Sequence, residues 1–136
     1  MRTRAGFTLI ELVMVIVIMG IMAAVALPRF VDFSGKAKIA AAKGAIGTVR
    51  STIELKYAEN SVNGTPGYPP LLEGSLFSDG KVPIEPFRGR NDVRYTDAAH
   101  MQPYVGVGGW LYNPDTGQVW INDILRDSEG TLISSY

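Results

Sequence analysis

The sequence predicts an α+β fold in which a long N-terminal helix packs against a small antiparallel β-sheet. Three observations predict it. Phe7 to Leu27 is an apolar run whose only ionisable residue is Glu11. Ile39, Ala42, Ile46, Val49, Ile53 and Tyr57 then recur at three- and four-residue steps, which draws one apolar stripe along a helix. Farther on, Trp110-Leu111-Tyr112 and Gln118-Val119-Trp120-Ile121 flank Asn113-Pro114-Asp115-Thr116-Gly117, two strand-like segments around a turn. At 136 residues, one domain is the expected count.

Ahead of the apolar run stand Met1 to Gly6, short, polar and carrying Arg2 and Arg4. A helix over Phe7 to Leu27 is about 30 Å long, the thickness of a bilayer's hydrocarbon core. Three readings of this stretch compete. A secretory signal shares the basic start and the apolar centre, and Ala24-Val25-Ala26 offers a small-residue cleavage site. The product is then a secreted binding module that begins at Leu27. A plain membrane anchor holds Arg2 and Arg4 in the cytoplasm. In the third reading, Gly6-Phe7-Thr8-Leu9-Ile10-Glu11-Leu12 resembles the cleavage and methylation site of type IV prepilins.

Glu11 separates the three. A carboxylate costs roughly 2.5–3.5 kcal/mol at the centre of a membrane helix and less toward the interface. Neither a signal peptide nor a bare anchor gains from it. A polymerising subunit does, because a neighbour's positive N-terminus neutralises the charge away from water. The resemblance implies a pilin-like fold and a prepilin peptidase that cuts between Gly6 and Phe7 and N-methylates Phe7. It implies that Glu11 pairs with the amine of Phe7 on the adjacent subunit and sets the axial stagger. Gly20 and Pro28 weaken the helix through backbone entropy and a missing amide donor. By resemblance they bound a stretch that unwinds on entry into a filament, while the free subunit keeps a helix with a gentle kink.

The same resemblance implies a homo-oligomeric helical filament raised by inner-membrane assembly machinery. The precursor crosses the inner membrane once with its head outside the cytoplasm. It ends in an extracellular pilus or in the periplasmic pseudopilus of a type II secretion system. Residues 1–6 are then the leader, 7–28 the membrane and filament-core segment, 29–60 the amphipathic stem and 61–136 the head. Many type IV pilins close a C-terminal loop with a disulfide, whereas this chain has no cysteine, which keeps the pseudopilin alternative in play.

The stem from Val31 to about Asn60 has an alanine-rich centre, Ala40-Ala41-Ala42 with Ala45, which favours helix and close approach. Polar residues from Asn60 to Gly64, then Gly67, end it. Residues 61 to about 100 interleave five prolines (Pro66, Pro69, Pro70, Pro83, Pro86) with glycines, a composition for an ordered, irregular connection. Arg88, Arg90 and Arg94 form the only basic cluster of the head; no aromatic pattern interleaves with it, so no nucleic-acid partner is expected. Gly106, Gly108 and Gly109 indicate a bulge or a close backbone crossing before the hairpin. The tail from Ile124 to Tyr136 is expected to pack across the head.

Charge divides along the chain although the formal net charge is zero. Arg29 to Lys56 holds six basic residues against two acidic ones, and Tyr57 onward five against ten. A basic stem under an acidic head either helps subunits stack in register or is solvated charge with no role. No catalytic constellation is visible: His100 is the single histidine, expected on a loop, and the chain is not expected to be an enzyme. Asp123, Asp127 and Glu129 are weak candidates for a Ca²⁺ site, since major pseudopilins resemble this tail in using calcium; their spacing fits no motif, so no cofactor is expected.

Overall fold

The computed structural model describes residues 6–97, 103 and 107–136. His100 and Gly106 lie outside the described residues. The chain divides into two units, Met1–Ser34 and Gly35–Tyr136. One helix, α1 (Leu9–Val62), supplies the first unit and opens the second. It runs through Pro28, whose missing amide costs one backbone bond without ending the helix. Its end comes two residues beyond Asn60, where Gly64 takes a positive φ of 80° and its amide bonds to the Ser61 carbonyl at 3.1 Å.

In the second unit the predicted stripe is the buried face of α1: Ile39, Ala42, Ile46, Val49 and Ile53 are each at most 5% exposed. Tyr57, at the top of the stripe, is 37% exposed and meets the ring of Tyr68 with centroids 4.6 Å apart. The stripe packs on a three-stranded sheet, β1 (Val93–Tyr95), β2 (Trp110–Tyr112) and β3 (Val119–Ile121), in the order β1-β2-β3. Trp110, Tyr112, Val119 and Ile121 join Ile46, Val49 and Ile53 in one core. Burying side chains of this size stabilises by about 1.5–3 kcal/mol each.

The α+β class and the hairpin are as expected, but the sheet is mixed. β2 and β3 pair antiparallel with Leu111 opposite Trp120, whereas β1 pairs parallel to β2 with Val93 opposite Trp110. β1 lies in the segment expected to be irregular. Only three residues long, it is recruited by long-range pairing rather than by an alternating pattern of its own. The hairpin turn follows its chemistry: the Asn113 side chain accepts the Asp115 amide at 2.9 Å, and Gly117 takes a φ of 71°.

The irregular segment is tied down by the core's polar tips. Trp110 Nε1 donates to the Pro83 carbonyl and the Tyr112 hydroxyl to the Pro69 carbonyl, each at 2.7 Å. The Tyr95 hydroxyl accepts the Leu72 amide at 3.2 Å. The expected close crossing is found at Gly108 and Gly109, both with positive φ; a Cβ on Gly109 would collide with the Asp92 carbonyl. Among the described residues no buried side-chain nitrogen or oxygen lacks a partner.

Candidate assembly site on the N-terminal helix

The described residues of the first unit bury almost nothing within their own chain. Every residue from Gly6 to Ser34 is exposed, and the large apolar side chains between Phe7 and Phe33 are 42–83% exposed. α1 contains a stretch long and apolar enough to cross a membrane. A sleeve of this kind is stable only in lipid or against other helices. A Cβ on Gly20 would meet no atom within 4 Å, so the chain's own packing does not require glycine there.

At the start of α1 the sequence builds a capping box. The Glu11 amide bonds to Thr8 Oγ1 at 3.3 Å, while Glu11 Oε2 accepts the Thr8 amide at 2.8 Å and the Thr8 hydroxyl at 2.6 Å. Thr8 is thus a site residue absent from the expectations above. Its signal, Thr-x-x-Glu ahead of an apolar run, is in the sequence. Phe7 and Leu12 occupy the staple positions that flank such a box. Both Thr8 bonds fall on Oε2, and Oε1 has no partner among the described residues. Phe7 itself is 83% exposed.

The acidic tail residues do not converge on one another. Asp123 is fully buried; its Oδ2 accepts Arg88 Nε at 2.7 Å and its Oδ1 the Leu125 amide at 2.9 Å. Asp127 accepts the Tyr136 hydroxyl, the Glu129 amide at 2.8 Å and the Thr131 amide at 3.0 Å. These donors, the Tyr136 hydroxyl foremost, hold its carboxyl below the usual carboxylate range. Glu129 is exposed. Among the described residues no group of three or more histidine, cysteine, aspartate or glutamate side chains is arranged to hold a metal ion.

The tail packs across the head as expected, through bonds that no local pattern announces. Arg50 of α1 donates to the main-chain oxygens of Tyr136 and Val119, and Tyr136 stacks on Phe87 at 6.5 Å between centroids. The basic cluster is neutralised in place in two of its three members: Arg88 pairs with Asp123, and Arg90 with Asp92 at 2.7 Å.

An apolar helix long enough to cross a membrane and opened by a capped carboxylate, in a chain with a small α+β head, fits a membrane-anchored precursor. Residues 1–27 match the family model described as the prokaryotic N-terminal methylation motif. The chain is 39% identical to fimbrial protein Q of Moraxella bovis over 98% of its own length and 80% of that protein. It is 54% identical to the type IV narrow pilus major component of Thermus thermophilus, over 37% of this chain and 43% of that one. Against type II secretion system core protein G of Pseudomonas aeruginosa it is 37% identical over 43% of this chain and 42% of that one. The last two matches therefore span less than half of either protein. No solved structure matches the chain. The chain belongs to the type IV pilin and pseudopilin family.

Proposed function

We propose that the protein is the structural subunit of a type IV pilus-like filament. It enters the inner membrane as a prepilin, with its head outside the cytoplasm. Prepilin peptidase trims it between Gly6 and Phe7 and methylates the Phe7 amine. It then polymerises through α1 with the help of inner-membrane assembly machinery. The observation that carries this reading is the fully exposed apolar sleeve, which exchanges lipid for neighbouring helices at little cost in buried area. Gly20, free of any packing duty in its own chain, and Pro28 are the points at which α1 loosens on entry.

Glu11 receives the neighbour's Phe7 amine. The capping box supports this role, because it fixes the carboxylate through Oε2 and leaves Oε1 to face a partner. Methylation keeps the amine able to carry its positive charge. Trimming keeps both Thr8 donors, since the Phe7–Thr8 peptide bond survives the cut. The similarity to core protein G favours a second destination, the pseudopilus of a type II secretion system. The near-complete alignment with fimbrial protein Q favours the surface pilus.

Intact mass and the N-terminal residue of the protein from native membrane or surface fractions test the proposal. A chain that starts at Phe7 and carries one added methyl group is the expected result. A chain that starts at Leu27 has discarded the sleeve, and the filament reading falls with it.

A further inference from the structure

The head carries an unfilled groove on α1 away from the core stripe. Thr48, Thr52 and Leu55 form one wall and Leu76, Phe77 and Asp79 the other, around a volume of about 430 Å3. Leu55 is 71% exposed, beside the half-buried Leu76 and Phe77. A surface of this kind is stabilised by a cover.

The tail presents a matching knob. Arg126 and Leu132 face each other across an isolated antiparallel bridge, so their side chains share one face of the ribbon, with Leu132 40% exposed. Charges on knob and groove are complementary and unspent. Among the described residues Arg126 donates only to the Gly130 carbonyl, at 2.6 Å, and Asp79 accepts only the Lys81 amide, at 3.2 Å. Neither belongs to any of the three ion pairs found among the described residues. Knob and groove also differ in level. Ser128 of the ribbon lies against Gly35, Tyr136 beyond it reaches Lys43 and Arg50, and the groove lies at Thr48 to Leu55. From Gly35 to Leu55 the helix rises about 30 Å.

We infer that the groove seats the tail ribbon of a second copy, with Leu132 against Leu55 and Arg126 on Asp79. Between parallel copies displaced along α1 the contact is heterologous, and because the displacement never returns to the starting level it propagates as an open helix instead of closing a dimer. Parallel copies staggered along α1 by at most about 30 Å bring the two levels together. The inference rests on the filament reading and adds to it a contact between heads that the apolar helices do not provide.

The chain has no cysteine, so a Leu55→Cys/Leu132→Cys variant of the full-length protein carries the only two thiols. Filaments assembled by the native cells and then oxidised should resolve into a ladder of dimers, trimers and longer multimers, while either single cysteine gives no ladder. Filaments visible by electron microscopy that give no ladder overturn the contact and leave the filament reading standing. Absence of filaments from the unaltered protein overturns the reading beneath it. Charge exchange is the second arm and decides the matter if the cysteine variant does not assemble. Asp79→Arg and Arg126→Asp should each lower filament yield at least about tenfold by opposing like charges, and the two together should restore it. A double exchange no better than either single one overturns the proposal.

Discussion

Arg88→Met should destabilise the head by about 2–3 kcal/mol. The methionine keeps much of the aliphatic stem but removes the Nε donor that meets Asp123 Oδ2 at 2.7 Å. Asp123 has no exposed surface, and among the described residues the Leu125 amide becomes the one remaining donor to its carboxylate. Removing one partner of a buried pair costs about 3–5 kcal/mol, because the other charge stays in a poorly solvated place. Arg88 is 36% exposed, so water reaches part of the pair and the cost falls to the bottom of that range or just below it. Its main-chain amide still donates to the buried Glu85 carboxylate at 2.9 Å, which leaves that turn intact. The matched control is Arg90→Met, which breaks an ion pair exposed on both sides and should cost no more than about 1 kcal/mol. Urea unfolding of the full-length protein in detergent, followed by the emission of buried Trp110, measures both. Equal losses for the two variants would refute the reasoning that the Arg88–Asp123 pair closes the tail onto the head.

Gly117→Ala should cost at least about 2 kcal/mol, since φ is 71° there and a Cβ would overlap the Tyr68 ring; unchanged thermal unfolding would contradict the packing described. Burial pushes the Tyr112 phenol up to about 12, above its unfolded value of about 10. Its contribution is therefore complete below about pH 10 and lost as pH rises through about 12. Tyr112→Phe should shrink that alkaline loss and cost about 1–3 kcal/mol at neutral pH, because the Pro69 carbonyl loses its donor. Glu11→Ala should leave membrane insertion intact and abolish most assembly, and normal filament yield would remove the pairing role. Millimolar calcium should leave the melting temperature unchanged; a rise that Asp127→Asn abolishes would place the ion at the tail after all.

The sequence displays what is periodic or local. The stripe from Ile39 to Ile53 is legible because each buried side chain recurs with the helical turn. The hairpin is legible because Asn113, Pro114 and Gly117 each have a backbone preference that suits a turn. β1 is not legible: Val93-Arg94-Tyr95 is too short to show alternation, and its parallel alignment with Trp110-Leu111-Tyr112 exists only once the chain has crossed at Gly109. Arg88 and Asp123 stand 35 positions apart, and no spacing rule joins them. Thr8 is a different case. Its cap is spelled out locally, yet the same residues spell the processing motif, and one message hides the other.

The tail is fastened by Arg88 on Asp123, Arg50 on the last carbonyl and Tyr136 on Asp127, with no thiol involved. Closing it therefore waits on no oxidant and no isomerase, steps that run from seconds to hours where sulfur chemistry is required. The head matures as readily in reducing surroundings as in air. The fastening is also reversible, so a head that opens can close again with no covalent loop to remake.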